Sequence, residues 1–431
     1  MKHFVLFLLF VTAAASAAAQ TRPLPDPPVI GATSYLVIDA QSGQELAALK
    51  PDTPVPPASL TKIMTSYVVF RALKEGQISL DDEVTISEKA WRMQGSRMFI
   101  EVGKKVRVED LLMGVIVQSG NDASVALAEH VAGSESVFAA MMNQHAQSLG
   151  MASTNFVNAT GWPDDDHYST ARDLTILARA MISEFPEHYQ RYSVKEFQWG
   201  DIKQPNRNRL LWRDDSVDGL KTGHTEAAGY CLVTSAERDG MRVISAVLGT
   251  ASDRARVDGS QALLNYGFRF FETRLLYEAG QEIARTRIWK SANETTPLGL
   301  LEDLWVTVPR GSYDSLESVH NMPAILEAPV AAGQPLAELK ISLNGEDLVH
   351  EQLRALEHGM TIKVAIVDYR GRSHGSVDSP EDVAFVERII AREGELVEPR
   401  RPLRLSSSRV TSTLLKLDRR PSGWGREPTC L

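Results

Sequence analysis

Three short motifs follow one another along this chain, and each carries groups that act on a carbonyl carbon. Together they supply a nucleophile, a base, a proton relay and a cation for an anion, which acyl transfer through a serine ester requires. The fold therefore has to gather three distant segments around a single cleft. The motifs are Ser59-Leu60-Thr61-Lys62, Ser119-Gly120-Asn121 and Lys221-Thr222-Gly223.

The first motif places a hydroxyl and an amine three residues apart. If Ser59 opens a helix, Lys62 lies one turn further on the same face and reaches the Ser59 hydroxyl. The positive end of the helix dipole and the nearby Lys221 lower the pKa of Lys62 towards the range of a working base, about 7–8. Alone, the same spacing also fits a surface lysine beside a helix-capping serine, because Ser-x-x-Lys is common by chance.

The second motif falls between two apolar segments that are predicted to be helices. Ser119 is the candidate for passing a proton from Lys62 to a leaving amine, and Asn121 is the candidate for holding a substrate amide oxygen. Taken alone, Ser-Gly-Asn is equally typical of a helix-breaking turn.

The third motif precedes a predicted strand. We expect Lys221 and Thr222 to bind a carboxylate, and Gly223 to let substrate backbone pass close to the strand. The backbone N–H groups of His224 and Ser59 form a candidate oxyanion hole, where the loss of one donor costs roughly 3–4 kcal/mol of barrier lowering. A plain loop entering a strand is the alternative for this motif alone; the conjunction of all three favours the enzyme.

The ends and the composition limit the class of protein. Residues 1–19 have a polar start, a short apolar run and a small-residue cleavage site, which predicts an export signal. A formal charge of −9 argues against a nucleic-acid partner. With only Cys231 and Cys430 we expect no disulfide, and without a cysteine or histidine cluster we expect no metal and no cofactor.

Strand and helix patterns predict an α+β catalytic domain over residues 28–273, an antiparallel sheet carrying helices. Strands are expected at 34–39, 230–236 and 241–248, the last two joined at Asp239-Gly240, and helices near 59–73, 109–117, 122–131, 170–183 and 253–273. A small all-β domain is predicted over 275–357. Residues 358–431 form a tail whose composition does not support independent folding, with one candidate helix over 381–393.

The chain resembles the penicillin-recognising serine enzymes, and among them the low-molecular-weight penicillin-binding proteins that are D-alanyl-D-alanine carboxypeptidases. The resemblance covers about residues 28–355 and includes the small β domain. It extends the three motifs to Pro57-Ala58-Ser59-Leu60-Thr61-Lys62-Ile63-Met64-Thr65, Ser119-Gly120-Asn121-Asp122-Ala123 and Val217-Asp218-Gly219-Leu220-Lys221-Thr222-Gly223-His224-Thr225, and adds Asn206-Arg207-Asn208 and Tyr266-Gly267-Phe268-Arg269-Phe270-Phe271.

This resemblance implies a substrate, the peptidoglycan stem pentapeptide ending in D-Ala-D-Ala, and acylation of Ser59 by penicillins. It also implies that His224 and Arg256 help to hold the terminal carboxylate and that Arg207 lies near the site. An exported, periplasmic location follows, and contact with the outer face of the inner membrane is left open. The candidate helix 381–393 departs from the family, because its acidic residues would repel anionic lipid.

Three alternatives keep the same fold. A β-lactamase needs a Glu-x-x-x-Asn pattern near the pocket, and none occurs between Phe156 and Asp173. A D,D-endopeptidase is less favoured because of the extra β domain. A non-catalytic peptidoglycan-binding module would keep the fold without forming an adduct with penicillin.

Overall fold

Alternating strand residues divide the larger part of the molecule into two apolar cores. In the computed structural model the described residues are 24–289, 295–322, 326–327 and 330–356. The first nine strands are β1 (Ser34–Asp39), β2 (Glu45–Leu49), β3 (Glu83–Thr85), β4 (Lys105–Arg107), β5 (Glu196–Trp199), β6 (Ile202–Pro205), β7 (Val217–Thr225), β8 (Gly229–Arg238) and β9 (Met241–Thr250). Five of them form an antiparallel sheet in the order β2-β1-β9-β8-β7.

Helices cover both faces of this sheet, so that its central strands are buried on both sides. On β1, Leu36 and Ile38 face the core formed with most of the helices, whereas Tyr35 and Val37 face the core formed with the last helix. The helices are α1 (Thr61–Lys74), α2 (Glu88–Trp91), α3 (Val108–Ile116), α4 (Asn121–Ala132), α5 (Glu135–Leu149), α6 (Ala171–Glu184), α7 (Pro186–Tyr189), α8 (Leu210–Arg213) and α9 (Asp253–Phe270).

A second region, made only of strands and one short 3-10 turn in its described part, follows α9. The strands are β10 (Phe271–Tyr277), β11 (Ala284–Trp289), β12 (Thr295–Gly299), β13 (Leu304–Pro309), β14 (Leu316–Asn321), β15 (Leu326–Glu327), β16 (Pro335–Leu343) and β17 (Glu346–Ala355). The main sheet of this region has the order β14-β16-β17-β12-β11-β15, and β10 pairs with β13. Leu298, Leu339, Ile341 and Leu353 are fully buried in its core.

A buried carboxylate joins the two regions. Asp39, at the end of β1, accepts hydrogen bonds from the backbone N–H and the hydroxyl of Ser42 at 2.8 and 2.9 Å and from the Thr273 hydroxyl at 2.8 Å. Thr307 on β13 lies within 2.8 Å of the Thr273 hydroxyl and 2.6 Å of the Ser42 hydroxyl. The β region is therefore anchored to the central sheet through a network of neutral hydroxyls around one acid.

The predicted fold class, an α+β domain followed by a small all-β domain, is confirmed. One helix was predicted too long: α9 ends at Phe270, and residues 271–273 begin β10, where Phe271 pairs with Pro309. The helix α5 was not predicted. The export signal, the candidate helix 381–393 and Cys430 lie outside the described residues, while Cys231 is buried in β8.

Within the described part of the chain, no helix is both long and apolar enough to cross a membrane. The same residues contain no group of three or more histidine, cysteine or acidic side chains arranged to hold a metal ion.

Candidate active site

The candidate nucleophile lies in a tight turn between a proline-rich segment and α1. Ser59 occupies the middle of the 3-10 turn Ala58–Leu60, directly before the helix, rather than the first helical residue. Ala58 has φ of +49°, a left-handed conformation that a residue with a side chain adopts at a cost of about 1 kcal/mol or more. No described residue accepts a hydrogen bond from the Ser59 backbone N–H. The turn is thus held in a strained shape that leaves this donor available.

Two glycines pack closely against this turn, and they can do so because neither has a side chain. A Cβ atom on Gly161 would lie 1.8 Å from the Ala58 carbonyl oxygen, and one on Gly223 would lie 2.9 Å from the Pro57 oxygen. Gly161 also has φ of +79°. The sequence suggested that Gly223 makes room for substrate; in the structure its close neighbour is the turn that carries Ser59.

The amine of Lys62 is wholly buried and contacts three oxygen atoms. Its Nζ lies 3.0 Å from Ser59 Oγ, 2.7 Å from Asn121 Oδ1 and 2.7 Å from the Thr160 carbonyl oxygen. Burial is the largest cause that lowers the pKa of Lys62, to about 7; the positive charge of Arg207 lowers it further, and Asp122 opposes the shift. A substantial fraction of this amine is therefore neutral near pH 7.

Ser119 and Asn121 form the corner between α3 and α4. Asn121 is the first residue of α4, and its Nδ2 donates to the Gln94 carbonyl at 2.6 Å while its Oδ1 faces Lys62. Ser119 is buried with φ of +62°, and its Oγ accepts a hydrogen bond from Lys221 Nζ at 2.8 Å. Both ends of the Asn121 amide are thus occupied by the protein.

Lys221 and Thr222 lie inside β7, not in a loop ahead of it as the sequence suggested. The strand pairs with β8 from Val217 opposite Ala236 to Thr225 opposite Gly229, so the whole third motif is part of the sheet edge. Burial and the positive charges of Lys62, Arg207 and Arg256, in that order, lower the pKa of Lys221 well below its usual value. The third motif therefore presents a desolvated cation along an otherwise unpaired strand edge.

His224, Arg256 and Arg207, for which the resemblance implied a place near the site, differ in their surroundings. The exposed His224 ring lies 4.0 Å from the Tyr230 ring, centroid to centroid. Arg256 is buried, donates to the Gly223 and Cys231 carbonyls at 3.0 and 3.4 Å, and contacts Asp253 at 2.5 Å.

Arg207 is exposed and has no ion-pair partner among the described residues, yet its charge acts on both active-site lysines. Partial desolvation by the surrounding protein, and then the positive charge of Arg256, lower the pKa of Arg207 from its usual value, although the side chain still reaches solvent.

The resemblance implies that residues 161–168, with His167, flank the pocket, but sequence reasoning missed the Asn158 contacts that hold the start of this loop. Asn158 Oδ1 accepts hydrogen bonds from the backbone N–H groups of Thr160, Gly161 and Trp162, and its Nδ2 donates to the Trp162 carbonyl. This clamp fixes the Thr160 carbonyl that Lys62 contacts. A backbone carbonyl has no sequence signature, so nothing in the sequence singled out Thr160.

His167 supports the same loop as a neutral side chain. Its Nδ1 accepts the backbone N–H of Val157 at 3.2 Å, so Nε2 carries the proton and donates to Thr61 Oγ1 at 2.8 Å. Burial lowers the pKa of His167 to about 4, Asp164 opposes this shift, and Lys62 adds to it. The imidazole therefore stays uncharged and serves as a structural link between α1 and the loop.

The comparisons with known proteins follow the same division into two regions. Residues 20–252 match the family described as D-alanyl-D-alanine carboxypeptidase, and residues 271–358 match the C-terminal domain of penicillin-binding protein 5. The chain is 43% identical over 336 residues to the D-alanyl-D-alanine carboxypeptidase DacA of Haemophilus influenzae, covering 77% of this chain and 86% of the relative. It is 42% identical over 360 residues to DacC of Escherichia coli, covering 82% and 89%.

Solved structures give the same result. Penicillin-binding protein 5 from Haemophilus influenzae superposes with a TM-score of 0.75 at 43% identity, covering 77% of this chain and 98% of that one. Penicillin-binding protein D2 of Listeria monocytogenes in its ampicillin-bound form superposes with a TM-score of 0.52 at 32% identity, covering 56% and 98%. The chain belongs to the D-alanyl-D-alanine carboxypeptidase family, with a C-terminal domain of the penicillin-binding protein 5 type after the peptidase domain.

Proposed function

We propose that this protein removes the terminal D-alanine from peptidoglycan stem pentapeptides through an ester on Ser59. The observation that carries the proposal is the 3.0 Å contact between Ser59 Oγ and the buried Lys62 amine. A serine hydroxyl is a weak nucleophile until a neighbouring base takes its proton, and this amine is the one base in contact with it among the described residues.

The neutral form of Lys62 has two N–H donors and one lone pair. The carbonyl oxygens of Asn121 and Thr160, both at 2.7 Å, accept the two donors. The lone pair is then left for the Ser59 hydroxyl, which donates its proton as its oxygen attacks the penultimate carbonyl. Because all three groups are fixed before substrate arrives, the base needs little reorganisation in the transition state.

Ser119 and Lys221 supply the route by which a proton reaches the leaving amine. The Ser119 hydroxyl, which accepts a hydrogen bond from Lys221 Nζ at 2.8 Å, passes a proton to the nitrogen of the departing D-alanine. The proton that Ser119 loses is then replaced by the one that Lys62 took from Ser59. Water then hydrolyses the ester by the reverse sequence. Asn121 holds Lys62 in this scheme and can offer its amide to the substrate only by exchanging its present partners.

The terminal carboxylate of the substrate binds to the cations and the hydroxyl along β7. Lys221, Thr222 and the exposed Arg207 contact it, and His224 flanks it. Arg256 acts on this subsite through the backbone, since it braces the Gly223 carbonyl from the side of α9. The N–H groups of Ser59 and His224 stabilise the oxyanion as the carbonyl becomes tetrahedral.

Penicillins acylate the same serine and leave slowly, because their ring carbonyl and carboxylate mimic the two reacting ends of D-Ala-D-Ala. A relative of this chain is known with ampicillin bound. We further propose that the protein is exported and works in the periplasm. Contact with the outer face of the inner membrane stays a proposal, since residues 1–23 and 357–431 are not described.

The test combines fluorescent penicillin with measurement of D-alanine release from a stem pentapeptide. The wild type should form one stable adduct, located by peptide mass spectrometry at Ser59, and should release D-alanine. Ser59→Ala should do neither, while Ser148→Ala, on the exposed surface of α5, should behave as the wild type.

Other results would identify the alternatives. Rapid turnover of the penicillin without accumulation of adduct indicates a β-lactamase. Cleavage of cross-linked peptides in preference to the pentapeptide indicates an endopeptidase. An absent adduct in the folded wild type would leave only a binding module and would refute the proposal.

A further inference from the structure

One large aromatic side chain at the cleft has no partner in the function proposed so far. Trp162 is 45% exposed although the loop that carries it is rigid. The backbone N–H of Trp162 donates to Asn158 Oδ1 and Thr160 Oγ1, both at 3.1 Å, and the backbone carbonyl of Trp162 accepts from Asn158 Nδ2 at 3.0 Å. These hydrogen bonds fix the backbone that carries the indole, and the indole itself is in contact with solvent.

The segment that carries the indole contacts both the turn before the nucleophile and the residues beside the Asn121 amide. The preceding residue, Gly161, packs directly against the carbonyl of Ala58, one residue before Ser59. On its other side, a ring carbon of Trp162 lies 3.5 Å from the position of a Cβ atom on Gly95, a site that is also 2.9 Å from Asn121 Nδ2. Gly95 thus brings the indole and the Asn121 amide together.

The charges of the site decide which part of a peptide reaches this indole. The cations that bind the terminal carboxylate lie on β7 and at Arg207, whereas Trp162 and the segment from Gln94 to Ser96 carry no charge. We call Trp162 and the segment from Gln94 to Ser96 the uncharged wall. A peptide whose carboxylate is held at β7 and whose carbonyl is at Ser59 has to extend its amino-terminal part towards this wall. That wall therefore faces the residue that precedes the two terminal alanines.

We propose that Trp162 is a specificity-determining residue, whose indole packs against the aliphatic part of the side chain that precedes D-Ala-D-Ala. This proposal rests on the proposed carboxypeptidase function and adds a subsite to it. A flat indole offers a large apolar contact with little loss of side-chain freedom, since a tryptophan side chain rotates about only two bonds.

The test compares two substrates and two tryptophan variants. Trp162→Ala should lower kcat/KM for diacetyl-L-Lys-D-Ala-D-Ala about tenfold, the usual value of a few lost apolar contacts in a pocket. It should leave kcat/KM for N-acetyl-D-Ala-D-Ala, which lacks the side chain, within about twofold. Trp162→Phe should restore most of the loss. Trp212→Ala, which removes an equally exposed indole from α8, should leave both substrates unchanged.

Acylation by 6-aminopenicillanic acid, which has no acyl side chain, serves to show that the Ser59 turn is intact. An equal loss on both peptides, or a loss of acylation by this penicillin, would overturn the proposal, because Trp162 would then support the catalytic turn and not the substrate. An unchanged kcat/KM for the lysyl peptide would overturn it as well. If the wild type released no D-alanine from either peptide, the proposed function itself would fail.

Discussion

The two regions of this protein treat buried charge in opposite ways. In the peptidase region, the described residues include buried lysine, aspartate, histidine and arginine side chains, among them Lys62 and Lys221 at the cleft. In residues 271–356, the buried polar side chains of the described part are all neutral threonines and serines. Desolvated charge costs free energy, so a fold keeps it where chemistry needs it. Buried lysines therefore belong to the peptidase region, and the described part of the β region contains none.

The largest effect should come from removing the buried lysine of the peptidase region, compared with removing a surface lysine of the β region. Lys62→Met should slow acylation by penicillin about a thousandfold, because general-base catalysis contributes roughly 10²–10⁴. Lys340→Met, which removes a surface lysine 2.8 Å from Asp347 in the β region, should leave the rate within about twofold. Rates follow from stopped-flow fluorescence with labelled penicillin. A Lys62→Met enzyme that kept a tenth of the rate would break the comparison.

Close-packed glycines allow the second comparison. Alanine at Gly161 clashes with the Ala58 carbonyl, and alanine at Gly299 in the β region would place a Cβ atom 2.2 Å from the Gln281 oxygen. Both variants should lower thermal stability, since overpacking costs about 1–3 kcal/mol. Only Gly161→Ala should lose acylation, by about a hundredfold, because a shift of about 1 Å at a reacting group has that effect.

Gly133→Ala is the matched control for these glycine variants. Gly133 also has a left-handed φ, of +75°, but nothing lies within 4 Å of an added Cβ atom. It should lose about 1 kcal/mol of stability from backbone strain alone and keep full acylation. Loss of acylation in Gly299→Ala would show that the β region is coupled to the site after all.

The pH dependence of acylation tests whether the buried amine of Lys62 is the base. Lys62 has to be neutral to take the Ser59 proton, and its pKa is lowered to about 7 by burial and then by Arg207. The acylation rate should therefore rise nearly tenfold per pH unit below 7 and level off above it. Arg207→Gln removes a positive charge, so protonated Lys62 becomes more favourable and the midpoint should move to higher pH. A midpoint unchanged in Arg207→Gln would contradict this account.

The smallest effect is expected where the two regions meet. Asp39→Asn weakens the hydrogen bonds to Ser42 and Thr273, and the free energy of unfolding should fall by about 1–2 kcal/mol. The acylation rate at 25 °C should stay within about twofold, because the change lies at the end of β1 away from the lysines. Urea denaturation measures the first quantity and penicillin acylation the second; a fivefold slower acylation would show that the junction sets the geometry of the site.

Local patterns were enough to predict much of this fold. The Asp239-Gly240 pair has the two positive φ angles, +51° and +80°, that a tight hairpin requires, and the strands on either side form as expected. The helix α5 had usable features that were overlooked: Ser134 caps its start, Gly150 follows its end, and its buried residues recur at helical spacing.

The third motif and the back of the site were harder to predict for a physical reason. Lysine and glycine have low strand propensity, so Lys221-Thr222-Gly223 resembles a loop until pairing with β8 fixes it as a strand. The Thr160 and Gln94 carbonyls that hold Lys62 and Asn121 could not be found from the sequence, because every residue has a carbonyl group. Only the tertiary fold decides which of them points into the cleft.

Asp122, next to Asn121, links the rim of the cleft to its centre. This buried carboxylate accepts the backbone N–H groups of Met98 at 2.8 Å and Phe99 at 2.8 Å, while the Asn121 N–H donates to Ser96 at 2.7 Å. The rim and the start of α4 are thus joined into one hydrogen-bonded unit. A peptide side chain that displaces the rim would also displace the Asn121 oxygen that holds the Lys62 amine, so we expect the enzyme to reject wrong peptides chiefly by reacting slowly with them after they have bound.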